Sequence, residues 1–278
     1  MSRPDTVAPL PAFFVSHGAP DFPARPSAAR DALSALARTI VRPRAILVAT
    51  AHWETGGPVL GGAERPITLH DFPGFDHRVR RRRYPAPGDP ALAQRAKALL
   101  DATGMSAAID PAHGLDQAVW GPLAVLYPDA EIPVVPLSVQ PFADAAHHLA
   151  VGRALAPLRR EGVLIIGSGA FTHDTRRMTK PGDDTVCPNA ARFASWLGEA
   201  LAAGDTARLL AWEEGPCACT SHSTAEHLFP LFVAYGAAEG EGTLLHASVE
   251  QATVAMQIWR FDGSGTERSD ERANAATA

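Results

Sequence analysis

Residues 45–53 read AILVATAHW, an apolar run that ends on a histidine, His52. Apolar residues in unbroken succession, without alternation, mark a strand covered on both faces. Two further segments repeat the pattern. Residues 12–18, AFFVSHG, deliver His17, and residues 163–173, VLIIGSGAFTH, deliver Ser168 and His173. Packing alone gives no reason for three apolar runs to end in residues that bind metals and move protons. Ligands of open α/β sheets sit beyond the carboxyl ends of the strands. The histidines are therefore expected to meet at one edge of a single sheet.

Outward from these runs the chain alternates strand and helix. Helices are predicted over 27–39, with Ser27 as N-cap, and over 91–102, 118–126, 142–160, 189–203, 206–212 and 224–236. Residues 132–139, IPVVPLSV, form a strand whose internal Pro136 places it near an edge or a bulge. Two closing strands follow at 243–249 and 253–261. The fold class is α/β: a single domain with a mostly parallel mixed central sheet flanked by helices, and a metal site at the C-terminal edge of the strands. Residues 1–262 form the catalytic domain and 263–278, polar and small, a flexible tail.

Length and composition bound the partners. A chain of 278 residues, 46% hydrophobic, is ample for one large core. A formal charge of −5 gives no footprint for nucleic acid. The N-terminus lacks a signal-peptide core, and no apolar stretch is long enough to span a membrane. Three cysteines, Cys187, Cys217 and Cys219, argue against a disulfide framework and for the cytoplasm. The apolar and arginine-rich loops are compatible with a homodimer.

The chemistry rests on histidines. His17 and His52 have small neighbours, Ser16, Gly18 and Ala51, which leave room for a metal or substrate. Neutral imidazole is the commonest metal ligand. A third ligand is expected in residues 221–227, SHSTAEH, where Ser223 or Thr224 caps a helix. His222, Glu226 and His227 all remain open there, although adjacent helical positions diverge by about 100° and one ion would not take both Glu226 and His227. His173 is a ligand or an acid–base group. Cys217 and Cys219 are spaced too closely for a usual zinc pair. The run 78–83, RVRRRR, reads as a solvated loop, and His147-His148 as surface. His70 and His77 flank the aromatic segment 71–75 and are candidates for a pocket mouth.

Several motifs in one order resemble the DOPA 4,5-dioxygenase-like (LigB-type) branch of the class III extradiol ring-cleaving dioxygenases. They are SHGAP from Ser16, AHW from Ala51, HDFPGF from His70, YPAPGDP from Tyr84, GLD from Gly114, YPDAEIPVV from Tyr127, GSG from Gly167 with Thr172-His173, and EHLFPL from Glu226. The resemblance covers about residues 12–260. It implies a mononuclear metal held by His17, His52 and His227, with His173 beside it as acid–base group or extra ligand. Fe(II) serves ring cleavage in such proteins, and Zn(II) is found at the same place. It implies a small aromatic diol and O2 as reactants; for that reaction Trp53, Phe72 and Phe75 are candidates to wall the ring, and His113 is a further candidate at the substrate, four residues before Gln117. The fourth motif departs from the family pattern: Gln117 stands where the family has histidine. Glutamine donates and accepts hydrogen bonds but does not titrate near neutral pH, so Gln117 would orient substrate rather than carry a proton. Asp174 stands where asparagine is usual. The expected function is extradiol cleavage of a catechol; the alternatives are a zinc-dependent hydrolase and a non-catalytic small-molecule binder on the same scaffold.

Overall fold

The structure is a computed structural model, and it describes residues 8–263 apart from 73, 181, 182 and 184. The expected tail, from 264 onward, lies outside the described residues. Eight strands form one sheet: β1 (Ala12–Ser16), β2 (Ala45–Glu54), β3 (Val59–Gly61), β4 (Ala108–Asp110), β5 (Val134–Val139), β6 (Val163–Gly169), β7 (Gly242–Glu250) and β8 (Val254–Phe261). Their order is β4-β3-β5-β2-β6-β1-β8-β7. The central strands β5, β2, β6 and β1 run parallel, and β8 and β7 close the sheet antiparallel. The fold is therefore a single α/β domain with a mixed sheet.

Strand alternation builds two cores. Phe14, Leu47 and Ile165 face one side, against the helices Pro90–Asp101, Ala145–Leu155, Pro188–Ala203 and Phe229–Ala237. Phe13, Val15, Ile46, Val48, Leu164 and Ile166 face the other, against Ala28–Leu36 and Gln117–Leu126. Successive side chains of a strand point to opposite faces, and both faces here are covered, so β1, the first seven residues of β2, and β6 are buried throughout. Ser27 caps its helix as expected, accepting from the Arg30 backbone N–H. No helix of the described residues is long and apolar enough to cross a membrane.

Three expectations are corrected. β5 lies inside the sheet, between β3 and β2, so of the two readings of Pro136 the edge fails, while an irregularity does stand beside it. The proline is tolerated because β3 pairs with β5 at one position only, Leu60 with Leu137, while the β2–β5 register shifts between Ala49 and Glu54. The last helix begins at Phe229 rather than Thr224, so Ser223 and Thr224 do not cap it. Pro230 explains the start, since proline fits the first turn, where its missing N–H costs nothing. The predicted helix over 142–160 is α-helical only over Ala145–Leu155 and tightens to a 3-10 helix over Ala156–Glu161.

His148 is a further correction: it is fully buried, not on the surface. Its ring stacks on Phe229 at 4.0 Å between centroids. Nε2 accepts from the Gln140 backbone N–H at 3.1 Å, and Nδ1 lies 2.8 Å from the Asp144 carbonyl oxygen, to which it donates. Burial lowers its pKa to about 4. The folded state thus favours the neutral ring, so this stabilisation is complete above the ordinary value near 6.5 and is lost as pH falls toward 4. The loss amounts to at most about 3 kcal/mol. Unfolding by denaturant at about pH 7.5 and about pH 4.5 is expected to show a smaller acid-induced loss in His148→Gln than in the wild type.

Candidate metal centre and cavity

The C-terminal end of β6 carries no side chains at Gly167 and Gly169, and other segments close onto it. A Cβ on Gly169 would stand 2.1 Å from the His227 carbonyl oxygen, and one on Gly167 2.0 Å from that of Pro230. The Ala170 N–H donates to the His227 carbonyl at 2.9 Å, and the His17 N–H donates to the Gly169 carbonyl at 3.0 Å. His227 and His17 are thereby fixed to the same strand end. His52 lies within β2, which pairs with β6 up to Thr50, in the stretch where the β5 register shifts. A register shift of this kind re-aims side chains.

The result is a three-imidazole cluster. Ring centroids are 4.9 Å apart for His17–His52, 5.4 Å for His17–His227 and 5.3 Å for His52–His227. One nitrogen of each lies within 4.8 Å of the others, close enough for a single cation. The opposite nitrogens are engaged. Nδ1 of His227 lies 2.9 Å from Glu226 Oε1, Nδ1 of His52 lies 2.5 Å from Asp71 Oδ2, and Nδ1 of His17 lies 3.5 Å from Ser168 Oγ. A proton held at Nδ1 leaves the Nε2 lone pair for a metal, the usual carboxylate–histidine support of a metal ligand. Three imidazole nitrogens around an open position fit a divalent transition-metal ion.

Electrostatics differ among the rings. Burial, reinforced by the neighbouring imidazoles, holds His17 well below the ordinary histidine value. Burial lowers His227 to about 3. Burial also works against a charged His52, but the Asp71 hydrogen bond and the charges of Asp116, Asp71 and Glu226 outweigh it and raise its pKa. Asp116, buried beneath the cluster, is raised to about 6 by burial although it accepts from Thr50 Oγ1 at 2.8 Å.

His173 stacks on His227 with centroids 3.7 Å apart and planes 16° from parallel. Its backbone N–H donates to the Ser221 carbonyl at 2.7 Å, and the chain on either side is pinned to Thr253 by Thr172 and Asp174. Burial lowers its pKa, so the ring is neutral near pH 7.

A cavity of about 260 Å³ opens over the cluster. His17, His52, His173 and His227 line it, together with Gln117, Phe72 and Phe75. Gln117 is buried, and its Nε2 lies 3.4 Å from the Gly18 carbonyl. Trp53 and His113, expected at the substrate, instead stack on each other at 3.5 Å and are not among the lining residues. His70 bonds the Arg82 carbonyl, and neither it nor His77 lines the cavity. Thr175, Met178, Gln251 and Val254 line it without having been singled out in the sequence. Gln251 sits at positive φ, 51°, in the β7–β8 hairpin turn. That hairpin brings its tip to the metal edge because β8 runs antiparallel to β1.

The chain matches the family described as the catalytic LigB subunit of aromatic ring-opening dioxygenase over residues 13–262. It belongs to that family. A 4,5-DOPA dioxygenase extradiol from Beta vulgaris is 41% identical over 258 residues, 90% of this chain and 95% of the relative. One from Escherichia coli K12 is 36% identical over 253 residues, 89% and 93% of the two chains. The crystal structure of an uncharacterised Escherichia coli K12 protein superposes with a TM-score of 0.77 at 32% identity, covering 91% of this chain and 99% of that one. As a member of the LigB family the chain is a metal-dependent, extradiol ring-cleaving dioxygenase. If the three imidazoles hold its metal, His227→Ala purified and dialysed beside the wild type loses most of the bound metal, read by elemental analysis, while its fold persists by circular dichroism.

Proposed function

We propose that His17, His52 and His227 hold Fe(II) and that the chain cleaves a small catechol with O2, His173 serving as the acid–base residue. What carries this reading is the fourth imidazole. His173 lies against ligand His227, lines the cavity, and is kept neutral by burial. A three-imidazole metal site alone would serve many chemistries. A neutral base beside it serves one that begins by taking a proton from a ring hydroxyl.

Held by His17, His52 and His227, Fe(II) would supply Lewis acidity toward the hydroxyls of a catechol and the redox chemistry its reaction with dioxygen needs. The side chains do the rest. His173 accepts the proton of a ring hydroxyl and is placed to return it to the reacting oxygen later in turnover. Gln117, held by the Gly18 carbonyl, orients substrate through hydrogen bonds and contributes no proton transfer. Phe72 and Phe75 wall the ring and keep water away from it. The relatives' names identify DOPA, a catechol, as what those enzymes act on; a catechol with a polar side chain is the substrate class this cavity is assigned. The unpaired Cys187, Cys217 and Cys219 support a reducing, cytoplasmic location.

Protein loaded anaerobically with Fe(II) and offered a panel of catechols is expected to consume oxygen and yield a yellow ring-opened product, whereas Zn(II)-loaded protein is not. Absence of uptake from every catechol with iron demonstrably bound would sink the reading. His173→Ala is expected to retain its metal and lose roughly 10²–10⁴-fold in turnover. His173→Gln, which cannot titrate, should not recover the loss.

A further inference from the structure

We propose that Asp71 is a positioning residue shared by the metal centre and the wall of the substrate cavity. Its two carboxylate oxygens have different partners. Oδ2 lies 2.5 Å from Nδ1 of His52. Oδ1 accepts from the Gln117 backbone N–H at 3.3 Å. Gln117 is the first residue of the helix Gln117–Leu126, so this N–H has no partner within the helix. The positive end of the helix also favours a carboxylate there.

The next residue along the chain is Phe72, whose ring packs against Phe75 at 5.4 Å and Trp120 at 6.2 Å. Both phenylalanines line the cavity. On the other side of Asp71, the Leu69 N–H donates to the Leu115 carbonyl at 2.7 Å, and Trp120 Nε1 donates to the Leu69 carbonyl at 2.9 Å. One side chain therefore ties together the ligand on β2, the start of the helix bearing Gln117, and the segment bearing the aromatic wall. Asp71 holds His52 in the tautomer that offers Nε2 outward, and it sets the distance from that ligand to the wall.

Glu226 is the built-in comparison. It supports His227 in the same way, at 2.9 Å, but its chain neighbours Ala225 and His227 carry no part of the aromatic wall. The two carboxylates should therefore separate on measurement. The inference rests on the catechol reading above, and the test keeps the two apart.

Zn(II) affinity is measured by chelator competition, and binding of 4-nitrocatechol is titrated under argon at saturating metal. Asp71→Asn is expected to weaken Zn(II) roughly 10–100-fold and, once saturated, to weaken 4-nitrocatechol roughly tenfold. Glu226→Gln is expected to weaken Zn(II) comparably and leave 4-nitrocatechol within about twofold. Phe75→Ala should weaken 4-nitrocatechol only. Asp71→Asn that binds 4-nitrocatechol like the wild type when metal-loaded overturns the proposal. The wild type gives a second reading, independent of whether any variant folds: Zn(II) is expected to slow hydrogen exchange in the backbone of residues 69–72 and 74–76, and unchanged exchange there overturns it too. A wild type that binds Zn(II) but no 4-nitrocatechol defeats the catechol reading, and hydrogen exchange then decides the role of Asp71 by itself.

Discussion

The close approach of backbone to backbone at the carboxyl end of β6 is the constraint on which this molecule depends. Gly167 and Gly169 leave no room for a Cβ, because the carbonyls of Pro230 and His227 stand where it would be. That contact sets His227 on the strand, and the Gly169 carbonyl in turn receives the His17 N–H. Ser16, at the end of β1, bonds Ala255, Gln257 and Phe171, tying the same edge to β8. Imidazoles 210 residues apart in sequence, His17 and His227, thus share one short piece of scaffold, and their geometry inherits its rigidity.

Charge follows from that geometry. Gathering imidazoles in a buried space penalises their protonation, and each neighbour adds to the penalty, so His17 and His227 favour the neutral ring. His52 differs because Asp71 and Asp116 lie close to it. A divalent ion among these rings would have the carboxylates of Asp71 and Glu226 one hydrogen bond away. That arrangement stabilises the cation without spending coordination positions on carboxylates, and leaves those positions to substrate. The stacked His173 contributes a neutral ring with its own hydrogen-bonding capacity at the cavity wall.

Much of the fold was legible. Unbroken apolar runs at β1, β2 and β6 announced strands buried on both faces, and the alternation with helical segments announced a largely parallel centre. The errors have local causes. Pro136 signals an edge or a bulge; only the irregularity is present, and a three-residue neighbour asks little of β5. Pro230 is the helix start signal, and it outweighs the capping residues Ser223 and Thr224. His148 looked like half of a surface pair; its burial depends on the Phe229 ring, some eighty residues away. Trp53, beside a ligand in sequence, was assigned to the substrate, but adjacent strand residues face opposite sides, and it stacks on His113 instead.

By itself the sequence determined which residue types stand at the ends of buried strands, since burial and periodicity are local properties of composition and order. It also carried the motifs that tie the chain to its family. Pattern alone did not choose among His222, Glu226 and His227, a choice that only the family motif EHLFPL directed to His227, and nothing in the sequence determined what Asp71 would hold or that the tip of the β7–β8 hairpin would reach the cavity. Those are distances between segments remote in sequence. They exist only once strand register, the bare end of β6 and the antiparallel return of β8 have fixed where each backbone lies.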